Sequence, residues 1–386
     1  LGGTTQTDGF RLTPLPEFKY KRRDGEMKRL IPLPVLTALL LQLACKDNPV
    51  EPPRKDPRTY TWTIDTLAYP GSFQTAMRDI WGSSPTDVYV VGHNDRGFGK
   101  MFHFDGKSWS AVDQYHPDER GNAAISLSAI FGFSANNIYA VGKRIYDNPK
   151  PPPNFLDSSL IIRFDGRQWR EVNIERGRAL WSISASAPND IWTCGTGGTL
   201  YHFDGSAWRK DSVAVTVPTD ETFLLWDIKA KNSLEVYMIG NRHNNSIPRT
   251  TRYFFSRRQG QWSVADSFVL QPGQYETKFG QNALWISPEG TLYSLGPHIR
   301  RWTGSSWIII YETFDALRKM AGTSDRNIFA VGDFGHILHY NGNDWYEFKE
   351  FRNPNVVYSS VWTDGKEVFV VGFMSDGSKT LILHGK

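Results

Sequence analysis

The chain has 386 residues, 40% apolar and 14% aromatic, enough to bury a large core behind wide, flat packing surfaces. Its formal net charge is only +4, part of it near the N-terminus, and no concentration of Lys and Arg marks a dedicated nucleic-acid binder. Two cysteines, Cys45 and Cys194, are too few for a disulfide framework or for a structural zinc site of their own.

Residues 1–26 carry Lys19, Lys21, Arg22 and Arg23 without pattern and read as a non-native extension upstream of Met27, where translation is expected to begin. Residues 27–44 join Met27-Lys28-Arg29 to the apolar run LIPLPVLTALLLQLA, the charged start and short apolar core of a secretory signal peptide. A membrane span needs roughly 20 residues, and Pro32 and Pro34 interrupt this shorter run. Cys45 follows Ala44 directly, so the segment resembles a bacterial lipoprotein signal, with Gln42 and Leu43 standing where that pattern has Leu and a small residue. The resemblance implies a lipidated Cys45, a Pro-rich polar tether over residues 45–57, and anchorage to the outer membrane on its periplasmic or surface side, with simple secretion as the alternative.

Residues 58–386 are built on a repeat seen most clearly from Asp79 to Val112, DIWGSSPTDVYVVGHNDRGFGKMFHFDGKSWSAV. Apolar Val88 and Val90 alternate with the period of a pleated strand, and Asp105-Gly106 suits a tight hairpin turn. Val91-Gly92, Val141-Gly142, Cys194-Gly195, Ile239-Gly240, Leu295-Gly296, Val331-Gly332 and Val371-Gly372 close a second strand in seven copies. Trp109, Trp169, Trp208, Trp262, Trp307 and Trp345 open a fourth strand in six. The last copy stops at LILHGK, while Tyr60-Thr61-Trp62-Thr63-Ile64 stands alone before the first. The period predicts an all-β, seven-bladed β-propeller of four-stranded antiparallel blades. A strand at about 58–66 is expected to complete the final blade and close the ring.

The pattern IWGSSPTDVYVVG followed by FHFDGKSW is similar to the divergent repeats of bacterial secreted propellers grouped as YVTN or BNR-like, and more loosely to tectonin-type lectin repeats. The chain departs from related patterns in lacking a regular S-x-D-x-G-x-x-W turn and a WD dipeptide with its GH partner. The resemblance implies the fold and leaves binding scaffolds, lectins and hydrolases all open.

His103, Arg163, His202, Arg301, His339 and His384 recur before the third-strand hairpin and are read as architecture, because a group that recurs in blade after blade serves the scaffold. Cys194 replaces Val, Ile or Leu in a strand and is read as a buried filler. Length variation gathers in the connections between second and third strands, at 93–99, 143–159 and 241–252, and in some links between blades. In an up-and-down blade these emerge on one face, and a rigid scaffold with variable loops presents its binding groups there. The candidates on that face are Arg96, Phe98, Tyr115, His116, Arg144, Tyr146, Asp147, Arg242, His243, Asn244 and Arg249. Trp181, Trp226 and Trp285, from first strands of neighbouring blades, are candidates for the channel wall or for packing between blades.

No catalytic fingerprint is present in a fitting context, no catalytic residue or metal ligand is assigned, and no cofactor is expected. The expected function is non-catalytic: a binding or scaffolding module of a bacterial envelope or surface lipoprotein, recognising an envelope protein or a cell-surface glycan and no nucleic acid. The alternatives are a lectin-like carbohydrate binder and a polysaccharide-active glycoside hydrolase or lyase.

Overall fold

Seven β-sheets of four antiparallel strands account for nearly all regular structure. The computed structural model describes residues 2, 55–96, 100–112, 124–247, 249–270, 273 and 277–386. Cys45, the signal-like segment, most of the tether, and candidates Phe98, Tyr115 and His116 lie outside the described residues.

The innermost strands, Thr75–Ser84, Ala124–Ser134, Leu180–Ala187, Glu221–Asn232, Ala283–Ile286, Leu317–Ser324 and Val356–Thr363, open blades 1 to 7. Each is followed outward by its three successors, except in blade 7, whose outermost strand is the N-terminal Trp62–Leu67. That strand pairs residue for residue with Thr380–Gly385, from Trp62↔Gly385 to Leu67↔Thr380. The edges of an open array are thereby paired. Trp62 also lies edge-on to Phe348 and Phe351, at ring separations of 5.3 and 5.1 Å, and so pins the closing strand to blade 6.

Two local devices explain the sequence anchors. In the FDG-x-x-W hairpins, Asp105 Oδ1 accepts the backbone N–H of Lys107 and Ser108 while Gly106 takes φ 90°. Phe104 and Trp109 then face each other across the hairpin, with ring centroids 5.2 Å apart. The second device is a bulge. In six blades the innermost strand gains one residue against its neighbour, at Arg78, Ser128, Trp181, Trp226, Arg318 and Ser359. The crowded backbone opposite admits only glycine: a Cβ on Gly92, Gly142, Gly195, Gly240, Gly332 or Gly372 would overlap the carbonyl of the residue two before the bulge. In six blades the glycine closing the second strand is thus the imprint of a bulge in the first, while Gly296 of blade 5 faces an unbulged strand.

Five of the six recurring third-strand cations bond within their own blades, while Arg301 acts on Asp325 of blade 6. His103, His202 and His384 bond the side chains of Asp87 (2.7 Å), Asp190 (2.7 Å) and Glu367 (2.5 Å), and stack on Tyr89, Trp192 and Phe369. Arg163 bonds Asn137 and covers Tyr139. His339 bonds Asn327 Oδ1 at 2.9 Å through Nε2, leaving Nδ1 buried without a partner. Burial, and then the nearby Arg58 cation, pull its pKa from 6.5 down to about 4. In the unfolded chain this imidazole takes up its proton near pH 6.5. Stability held at neutral pH is therefore lost as pH falls from about 6.5 through about 4, by roughly 3 kcal/mol from this group. His339→Gln is expected to flatten that part of the acid limb; urea midpoints at pH 7 and pH 4.5 check it, and equal falls in both proteins would clear His339 of the effect.

Length variation is not all irregular loop. Residues 143–159 and 241–252 were expected to be open connections, but most of both are ladder. Beyond Gly142 the strands stay paired from Lys143↔Ser159 to Asp147↔Phe155, and beyond Gly240 from Asn241↔Arg252 to Asn244↔Arg249. Alternating side chains sustain each ribbon, and the Pro151–Pro153 cluster is confined to the tip of the first. Cys194 is fully buried, and burial pushes its thiol pKa well above the ordinary value.

Candidate functional site

The bulges decide what the central channel displays. Each extra residue turns inward, so Arg78, Ser128, Trp181, Trp226, Arg318 and Ser359 meet around one cavity of about 510 Å³. These residues lie in the early part of their strands, and Arg252 and Phe373, from the second-to-third-strand side, also line it. The cavity therefore opens toward the face carrying the ribbons and blade-to-blade links.

Polar residues that follow the bulges brace the ring. Asp79 accepts Ser360 Oγ at 2.6 Å from blade 7 and the Ile130 N–H at 3.0 Å from blade 2, with Lys319 Nζ 3.5 Å away. Asp227 repeats the arrangement: Ser182 Oγ at 2.5 Å from blade 3, the Leu284 N–H at 2.8 Å from blade 5, and Lys229 Nζ at 2.6 Å. Burial opposes ionisation of Asp227, but the ammonium groups of Lys229 and Lys319 and its hydrogen bonds prevail and hold it below the ordinary carboxylate range. Both carboxylates in the cavity wall are thus engaged in structural bonds. Among the described residues, no three His, Cys, Asp or Glu side chains gather as a possible metal site.

Above this ring the balance is positive. Arg318 is paired with Asp333. Arg78 has no hydrogen-bond or ion-pair partner among the described residues, and Arg252 Nε is buried without one. Burial alone lowers both guanidinium pKa values, Arg252 to about 10, so both remain cations at neutral pH. Gln281 Oε1, also in the wall, is buried with no donor. Trp181 and Trp226 pack at 4.2 Å between centroids, and the Trp226 indole N–H donates to Asn241 Oδ1.

Trp285 is placed differently from the other two tryptophans. Its strand starts at Ala283, the counterpart of Asp227, so Trp285 falls two residues further along, opposite Tyr293. Its ring lies tilted against Tyr293 at 5.4 Å and packs into the wedge between blades 5 and 6 rather than lining the cavity.

The ribbon-face candidates divide. Arg96 donates to the Gly71 carbonyl and lies over Phe73, Arg144 pairs with Glu171, and Arg242 pairs with Glu221 at 2.5 Å and donates to Thr216 O. His243 bonds Thr250 and Asn244 bonds Asp220. These groups hold the ribbons and links in place. Asp147 and Arg249 are exposed at the ribbon ends, and Tyr146 borders a second cavity. Arg78, Arg252 and Gln281 were missed in the sequence; the only trace is that Arg78 and Arg318 stand at a position where the other bulged strands have Ser or Trp. The same face exposes Phe73, Phe314 (93% accessible) and Phe334 on its links and turns.

No protein-family profile matches the chain. Solved propellers share its fold. The structure described as YCF48 bound to D1 peptide superposes with TM-score 0.53 at 12% identity, over 86% of this chain and 97% of that one. YCF48 from Cyanidioschyzon merolae gives TM-score 0.51 at 13% identity, over 83% and 98%. At such identities the likeness establishes the fold alone. In sequence, a segment of 107 residues is 28% identical to the immune protein Tsi7 of Pseudomonas aeruginosa, covering 28% of this chain and 30% of that protein. The match thus spans less than a third of the curated relative.

Proposed function

We propose that this propeller is a non-catalytic recognition module whose channel mouth takes an anionic group of a protein partner, seated beside an aromatic pair. The observation that carries this reading is the pairing of two partnerless guanidinium groups, Arg78 and Arg252, with Trp181 and Trp226 in one cavity. A guanidinium group in a channel mouth without a counter-ion is stabilised by an incoming anion, and Arg and Trp are among the side chains that dominate binding energetics. Phe73, Phe314 and Phe334, exposed on the links and turns of the same face, favour a protein over a sugar, because exposed apolar groups gain more from a protein surface than from a hydrated glycan. The peptide in the YCF48 complex is in keeping with such use of the fold.

The aromatic pair also supports a second reading, a lectin that stacks a sugar ring on Trp181 and Trp226. A displayed peptide library and a glycan array, each probed with the wild-type chain, Arg252→Glu and Trp226→Ala, separate the two. Peptide enrichment that falls at least tenfold in Arg252→Glu is expected. A glycan signal lost in Trp226→Ala, without peptide binding, would replace the protein reading by the lectin. On the sequence reading this module is held at a bacterial envelope by lipid on Cys45; radiolabelled palmitate that still enters a Cys45→Ala chain would remove the anchor.

A further inference from the structure

The third strand of blade 2, Phe155–Phe164, is paired on one side with Asn137–Asp147 over its whole length, but its other side is covered only near the end. The outermost strand Trp169–Glu171 meets Ile162–Phe164 and no further. The Ser159 N–H points off the ladder to the Gly177 carbonyl at 3.1 Å. No bulge interrupts this ladder, so the two-residue period aims the N–H and C=O of Asp157 and Phe155 the same way. Neither group has a backbone partner among the described residues. No proline blocks this stretch, since the Pro151–Pro153 cluster ends before it.

A cavity of about 400 Å³ lies beside this edge. Ile145 and Asp157 face each other on one side of the ribbon, flanked by Lys143 and Phe155, and Arg178 from the entry to blade 3 closes it. Lys143 and Arg178 have no side-chain bond or ion pair among the described residues, and Asp157 offsets only one of them. Phe155 is 62% accessible although it is a large apolar group in a strand.

From this we infer that the blade 2 ribbon is a strand-addition site for an extended acidic segment of a protein partner, with Glu or Asp alternating with apolar residues. An open row of backbone donors and acceptors is satisfied by another polypeptide strand and not by a lipid or a sugar. The period of two then sets the incoming side chains: those on the cavity side meet Lys143 and Arg178 or lie along Ile145 and Phe155. The site is distinct from the channel mouth and stands whether or not the channel reading holds.

The test uses a short fluorescein-labelled peptide of alternating Glu and Val, capped at both ends, with its backbone N-methylated form and a Lys–Val form as controls. The Glu–Val peptide is expected to bind, to weaken at least tenfold in Arg178→Glu, to slow hydrogen exchange at the Phe155 and Asp157 amides, and to keep that local protection in Arg252→Glu. The N-methylated and Lys–Val forms are expected not to bind. No binding of the Glu–Val peptide, or equal binding of its N-methylated form, would overturn strand addition. Loss of binding in Arg252→Glu with Arg178→Glu unaffected would move the acidic ligand to the channel and leave the ribbon without a role. Because the N-methyl control is made on the ligand, the result does not depend on a variant that fails to fold.

Discussion

A chain that begins after Leu67 is expected to lose the cooperative unfolding of the full disc and to aggregate, and a synthetic peptide covering residues 59–67 is expected to restore soluble, cooperatively folded protein in trans. The reason is local and large. Removing Trp62–Leu67 bares the whole edge of Thr380–Gly385, with its row of unpaired N–H and C=O groups. It also strips Trp62 from Phe348 and Phe351, and Tyr60 from the core between blades 6 and 7. The substitution Trp62→Ala alone, in the full chain, is expected to cost about 3 kcal/mol, the low end for a large aromatic because the indole is partly accessible. Urea unfolding followed by tryptophan fluorescence measures both. A truncated chain that unfolds at the same midpoint as the full one would show that six blades and an incomplete seventh suffice.

Asp227→Ala is expected to destabilise the protein by about 3 to 5 kcal/mol, more than a typical core truncation of that size. The carboxylate holds four groups from three blades: Ser182 Oγ, the Ile228 and Leu284 N–H groups, and Lys229 Nζ. Its removal leaves an amide and an ammonium in a dry ring. Burial already lowers the pKa of Lys229, with the carboxylate opposing that effect, so in the variant the amine is expected to titrate lower still. Replacing Asp227 and Lys229 together by Leu and Met is expected to recover much of the loss, because a missing pair costs less than a widowed charge. Equal losses in the single and double variants would place the effect in the Ser182 and Leu284 bonds instead of the ion pair.

These expectations mark where the amino-acid order was informative. Copies that recur at a regular interval carry the same local physics, so Asp105-Gly106, Trp109 and Val91-Gly92 each reported a hairpin, an aromatic cross-strand pair or a strand end without reference to the rest of the chain. The lone TWTI near the start reported the closing strand because the final copy lacked its fourth. The cations told less. Arg96, Arg144 and Arg242 looked like binding groups in variable connections, yet each is tied to a neighbour brought near by folding, whereas Arg78 and Arg252, in strands, have no hydrogen-bond or ion-pair partner among the described residues.

The number of blades and their internal order were determined by the sequence alone, since they rest on contacts between residues close in the chain and repeated along it. The closure of the ring, a contact between the two ends, was determined only because the last copy lacked a strand that the first segment could supply. The tertiary structure decided which side chains face the channel and which face the core: a one-residue bulge turns Trp181 and Trp226 inward, and a two-residue offset sends Trp285 into the wedge. It also decided that the long insertion of blade 2 is a ribbon with a bare edge. Register and the pairing of charges depend on what the other blades bring alongside, and that information is spread over residues far apart in the chain.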